Sequence, residues 1–162
     1  MKRHASLVPL SRDHHDGLVL AQRLILGRST NPQGAWPTER ADQVGRLLTF
    51  FKDVLRAHFD TEEAHVFPIA MGRPGETREV ARQLIEEHDE MRARIHSFEE
   101  DPTTRLDDRL TGFGELLKGH IHTEERLLFE RMQAELDADE LEAIGIQIDA
   151  YASAVAGSAC KT

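Results

Sequence analysis

A stretch of sequence occurs twice in this chain, and the fold must give both copies comparable surroundings. His58-Phe59-Asp60-Thr61-Glu62-Glu63-Ala64-His65-Val66-Phe67 aligns with His120-Ile121-His122-Thr123-Glu124-Glu125-Arg126-Leu127-Leu128-Phe129, sharing His, Thr, Glu, Glu and Phe. In each copy the His and the first Glu are four residues apart. On a helix both then project from one face, one turn apart, and can reach one ion or two adjacent ones. His96 and Glu100 have the same spacing but lie outside the repeat, as an ordinary surface pair would. Leu47, Val54 and Leu55 precede the first copy, Phe113 and Leu117 precede the second, and Phe67 and Phe129 follow. Each His/Glu pair therefore points with, or close to, an apolar stripe.

Helical spacing of apolar residues runs through most of the chain, and no segment alternates as a strand would. The pattern predicts a first helix from Ser11, read as its cap, to about Gly27, and a second from Thr38 and Glu39 to about Ala70. A third covers roughly 77–99 and stops before Asp101-Pro102. A fourth covers 106–136. A short fifth, capped by Asp137 or Asp139, carries Leu141, Ile144, Ile148 and Tyr151 on one greasy face. Short connections make neighbouring helices antiparallel. The expectation is an all-α, up-down-up-down four-helix bundle with a short additional C-terminal helix, one domain over 1–162 with its core at about 7–150. Helices two and four are diagonal in such a bundle, so the repeats face each other across its interior.

Helices one and three offer candidates at the same level. His14 lies within the stripe of Leu7, Leu10, Leu18, Ala21 and Ile25, whereas His15 is about a quarter-turn off it, so His14 is preferred. His88 stands near Leu84, Ile85, Met91 and Ile95. With 1.5 Å of rise per residue, positions 14, 60, 88 and 122 align to within about two turns. A carboxylate and an imidazole on an apolar face are costly unless compensated, and metal is the economical compensation. A site of imidazoles and carboxylates without thiolate disfavours structural zinc of the cysteine type and calcium; it suits iron, manganese or, less well, a zinc pair.

The order His14, His58-x-x-x-Glu62, His88, His120-x-x-x-Glu124 resembles the hemerythrin-like, or HHE cation-binding, domain, over about residues 7 to 150. The resemblance implies two iron ions bridged by Glu62 and Glu124, with His14, His58, His88 and His120 completing their shells. One position departs from the oxygen carriers of that family, which have a second His one turn after the third-helix His; here it is Arg92. A shell short of one His has an open position and favours reactive or sensing chemistry. His65, seven residues after His58, is either the substitute ligand or a core-lining counterpart of Leu127. His122 points away from His120, and His4, His15 and His96 have no assigned role.

The implied function is binding of dioxygen or a related small molecule, nitric oxide or peroxide, for sensing, storage or detoxification. The rivals are a di-iron oxidoreductase using the same ligands, with Tyr151 as a redox-active neighbour, and a metal-free helical interaction module. A ferritin-like centre needs Glu-x-x-His on two helices, and only Glu62-Glu63-Ala64-His65 fits. The formal charge of -9 argues against nucleic acid as a partner. The basic N-terminus is followed by no run long enough for a signal peptide or a membrane span, so a cytoplasmic location is expected. The lone Cys160 can form no disulfide within the chain and reads as an exposed, inert thiol.

Overall fold

The computed structural model describes residues 2–159, the side chains of 152 and 154–159 excepted, and Cys160 lies outside that range. Every regular element described is helical: α1 (Val8–Leu26), α2 (Arg40–Phe50), α3 (Arg56–His65), α4 (Phe67–Met71), α5 (Glu76–Glu100), α6 (Leu106–Thr123), α7 (Phe129–Glu135) and α8 (Ala138–Ala159). A π-helical segment, Phe51–Leu55, joins α2 to α3, and another, Glu124–Leu128, joins α6 to α7. The chain thus forms four rods, α1, 40–65, α5 and 106–135, with α8 added. One group of buried residues unites Leu7, just before α1, and Leu10 at its start with the segment after α3 (Val66, Phe67), the start of α5 (Val80, Leu84) and the end of the fourth rod (Leu128, Phe129). That pairing of starts with ends is the up-down-up-down order.

The π segments follow from the spacing of buried residues. Leu47, Phe51, Leu55 and Phe59 recur every four residues, as do His120, Glu124, Leu128 and Met132, and all are buried. Four residues overshoot an α-helical turn by about 40°, so a regular helix would carry this stripe off the core. One wider turn in each rod absorbs the drift.

Three boundaries differ from the sequence pattern. First, α1 starts at Val8 rather than Ser11, because Pro9 sits in the first turn, where an N–H has no intrahelical partner to lose. Ser11 instead donates its hydroxyl to Glu125 Oε1 at 2.6 Å. Second, the rod expected to reach Ala70 breaks at Val66, two residues before Pro68, whose ring cannot continue the α3 ladder. Third, α8 has 22 residues and is not short. Asp137 is its cap, as one of the two expected: its Oδ1 accepts the Glu140 N–H at 2.8 Å and Glu140 Oε2 accepts the Asp137 N–H at 3.0 Å, a reciprocal capping box.

Rod α1 packs most closely on α6, where Gly114 permits the approach. A Cβ there would stand 2.7 Å from the Ala21 carbonyl oxygen. Rod α1 ends on Gly27 at φ 70, and buried Gln43 ties down the following loop by donating to the carbonyls of Gly27 and Pro37, each at 2.8 Å. The apolar core has two parts. Leu20, Leu24, Leu47, Phe59, Phe98, Phe113 and their neighbours fill the end opposite the group above. Between the two parts every rod carries buried polar residues.

Candidate metal centre

That intervening layer contains His14, His58, Glu62, His88, His120 and Glu124, each at most 4% exposed. The structure brings all six sequence-predicted residues together. His14 and His58 direct their Nε2 atoms at each other, 3.0 Å apart, and His88 and His120 do the same at 3.1 Å. Glu62 lies between the pairs: its Oε1 is 3.0 Å from His58 Nε2 and 3.6 Å from His14 Nε2, and its Oε2 is 3.4 Å from His88 Nε2. Glu124 mirrors it, with Oε2 3.0 Å from His14 Nε2 and 3.4 Å from His120 Nε2. The ligand atoms fall into two groups, His14/His58/Glu62/Glu124 and Glu62/His88/His120, each within 4.8 Å.

Each ring has its Nε2 turned inward, and its Nδ1 is engaged from outside by a carboxylate. His14 pairs with Glu125 Oε1 at 2.7 Å, His58 with Asp13 Oδ2 at 3.1 Å, His88 with Glu63 Oε1 at 2.9 Å and His120 with Glu87 Oε2 at 2.9 Å. Such partners fix the ring and make the inward nitrogen a better donor to a cation. The sequence reading gives none of these four acids a role, although Glu63 and Glu125 are shared letters of the repeat. The available signal was position: each is adjacent in sequence to an inward-pointing residue.

The shared letters of the repeat now have physical roles. Thr61 and Thr123 return their hydroxyls to the carbonyls of Ala57 and Gly119, at 2.7 and 3.0 Å, leaving no orphan inside the helix. Phe67 and Phe129 border His88 and His14, with ring centroids 5.2 and 5.6 Å apart.

Electrostatics set imidazolium against carboxylate. Burial disfavours the charged form of His58, but Glu62 and Asp13 outweigh it and raise the pKa to about 9. His120 also reaches about 9, burial being outweighed by Glu124 and Glu87. His14 is raised well above its usual value against the same penalty, chiefly by Glu124 and Glu125. Burial works against the Glu62 carboxylate too, yet the surrounding imidazoles hold its pKa well below normal.

The family model described as the Hemerythrin HHE cation binding domain matches residues 7–132, most of the chain. The chain belongs to that family. No curated protein and no solved structure gives a match.

The residues of this HHE domain fit a pair of cations. All four carboxylate oxygens of Glu62 and Glu124 are buried and accept no aligned hydrogen bond, a costly arrangement that a bridging cation relieves. Two Nε2 atoms 3.0 Å apart can share only one proton between them, so each pair is better suited to a common cation. With the imidazoles neutral, as metal ligands must be, six carboxylates meet them, and among the described residues only Arg3 and Arg92 pair with these acids from outside, which leaves four negative charges for cations to balance.

Arg92, standing where the oxygen carriers have a fifth His, grips Glu63 through two nitrogens at 2.7 and 3.1 Å. His65 is half-buried and belongs to neither ligand group. His15 is exposed, which leaves His14 as the inward residue of that pair. His96 makes a surface contact with Glu100 at 3.4 Å. A cleft of about 280 Å³ reaches His58 and Asp13 from outside. Its walls are Pro9, Leu10, Val54 and Ala57, together with Ile148 and Tyr151 from α8.

Proposed function

We propose that this HHE domain is a non-haem di-iron protein that binds dioxygen or a related small molecule, nitric oxide or peroxide, for sensing, storage or detoxification. The observation that carries this reading is the pair of facing imidazoles on either side of two buried carboxylates that accept no hydrogen bond. Imidazole with bridging carboxylate suits iron, with manganese or zinc as alternatives. His14 and His58 would hold one ion, His88 and His120 the other, with Glu62 and Glu124 shared.

Two ferrous ions so held supply electrons and open coordination positions to a small oxidant. The chain supplies the rest. Phe59 and Phe67 keep water from His88, the outer carboxylates hold the rings, and the cleft beside His58 admits a small apolar molecule. With Arg92 committed to Glu63, α5 contributes one imidazole only.

The oxidoreductase reading acquires one specific support, since Tyr151 lines the same cleft as His58. No described helix is long and apolar enough to cross a membrane, and a cytoplasmic setting is part of the proposal.

The test is metal analysis of protein purified under low oxygen, then a visible spectrum on admitting air. About two irons per chain, with a charge-transfer band that fades on deoxygenation, are expected for reversible binding. Irreversible oxidation or consumption of peroxide would transfer the protein to the oxidoreductase reading. A fully folded chain that takes up no metal would leave only the interaction module.

A further inference from the structure

The four outer carboxylates have an order that pairwise description conceals. Asp13 of α1 holds His58 of α3, and Glu63 of α3 holds His88 of α5. Glu87 of α5 holds His120 of α6, and Glu125, in the fourth rod, holds His14 of α1. Each rod passes an acid to the next, and the fourth passes one back to the first.

The sequence contains the reason for this direction. On the rods that run one way the acid precedes the inward residue, as Asp13-His14 and Glu87-His88; on the rods that run the other way it follows, as Glu62-Glu63 and Glu124-Glu125. One residue turns a helix by about 100°, and a backward step on an ascending helix has the same sense, seen from one end, as a forward step on a descending one. All four acids therefore swing the same way around the bundle axis, each towards the flank of the next rod.

Guanidinium groups brace two of the acids from behind. Arg92 binds Glu63, and Arg3 donates to Glu125 Oε2 at 2.5 Å. The residues so braced hold His88 and His14, so each imidazole pair has one partner with a guanidinium behind its acid; Glu87, behind His120, accepts from Gln83 Nε2 at 2.8 Å instead.

We propose that Asp13, Glu63, Glu87 and Glu125 are positioning residues that form one closed ring, each orienting the imidazole of the following rod rather than the ligand beside it in sequence. The ring prepares four inward nitrogens before any cation arrives, and it joins the four rods through the site. The identity of the cations rests on the function proposed above; the orientation of the rings does not.

The experiment uses the full chain with nitrogen-15-labelled histidine and has two arms. In the first, with chelator present, nitrogen resonances report which ring nitrogen carries a hydrogen-bonded proton. Asp13→Ala is expected to release the His58 Nδ1–H and leave the His14 Nδ1–H on Glu125, and Glu125→Ala to release the His14 Nδ1–H and leave the His120 Nδ1–H on Glu87. Asp13→Asn and Glu125→Gln, whose amide carbonyls still accept the Nδ1–H, should restore orientation. In the second arm cobalt(II) is titrated against a competing chelator, and each alanine variant should bind it about 10–100-fold more weakly. Glu86→Ala, an exposed acid whose recorded ion pair is with Arg82, is the control and should change neither reading.

Disturbance at the sequence neighbour instead of the next rod, or at no ring, would overturn the proposal, as would equal losses in Glu86→Ala. Should the wild type show four oriented rings and take up no cobalt, the ring stands and the di-iron reading falls. Asp13 is substantially exposed, with a side chain at 44%, so its alanine variant is expected to fold, and helical circular dichroism verifies this.

Discussion

The two halves of the centre have the same ligands and different walls. His14 and His58 on one side, and His88 and His120 on the other, match in nitrogen separation, outer carboxylates and shared glutamates. Around His88 the enclosure is aromatic and complete: Phe59 stacks on the ring at 3.8 Å and Phe67 stands at 5.2 Å. A depression on that side ends at Glu63 and Phe67 without reaching His88. Around His58 the wall is thinner, and the cleft beneath α8 reaches the ring. The repeat makes the donor set symmetric, whereas residues outside its shared letters, Phe59 against Ile121 and the added α8, decide which half a small molecule can approach.

Removing what the halves share has the largest effect on cation binding. Replacing Glu62 and Glu124 together by Gln takes the bridging charge from both. The wild type is expected to gain about 2.7 kcal/mol at metal concentrations near 100 times Kd, and the double variant to gain nothing. Calorimetry with and without added metal decides it, and an equal gain in both proteins would sink the bridging role.

Next comes the wall of the closed half. Phe59→Ala leaves a cavity beside His88 and should cost about 3–5 kcal/mol in a urea titration. The same variant should accelerate proton exchange at the His88 ring, by nuclear magnetic resonance, and leave His14, on the far side of the glutamates, unchanged. Uniform acceleration at both would mean that the halves do not differ in enclosure.

The open half is tested by closing it. Ala57→Phe narrows the cleft and is expected to slow the entry of nitric oxide into the ferrous protein by about tenfold, some 1.4 kcal/mol on the barrier. Asp89→Phe, at the depression on the other side, should leave the rate as it was. A reversed result in stopped-flow mixing would assign entry to the His88 half.

Much of this architecture is legible in the sequence because it rests on period and repetition. The four rods follow from helical spacing with Gly and Pro punctuation, and the six inward residues from the repeat and from the stripes through His14 and His88. The π segments, which the expected continuous helices lack, become legible in the four-residue recurrence of Leu47, Phe51, Leu55 and Phe59 only once the structure shows these residues buried and the recurrence is set against a 3.6-residue turn. Asp13, Glu63, Glu87 and Glu125 were not. About 100° from the apolar stripe, a carboxylate has the same pattern as any solvated one, and only the neighbouring rod gives it a role. The cleft has no sequence signature, since α1, the second rod and α8 meet there through tertiary packing alone.

The smallest effect concerns what remains equal between the halves. Glu63, hydrogen-bonded by His88 and Arg92, has its pKa lowered to about 2. Glu125 is also lowered to about 2: burial opposes this, and His14, Ser11 and Arg3 prevail. Both depressed values stabilise the folded chain above the unfolded carboxylate pKa near 4.5, and that contribution is lost as pH falls towards 2. Both groups are partly exposed, so solvent screening holds each contribution to about 0–1 kcal/mol. Glu63→Gln and Glu125→Gln should flatten the acid limb of stability against pH to the same small extent, in chelator, by thermal melts between pH 2 and 6. Unequal flattening would show that the halves differ in their outer carboxylates as well as in their walls.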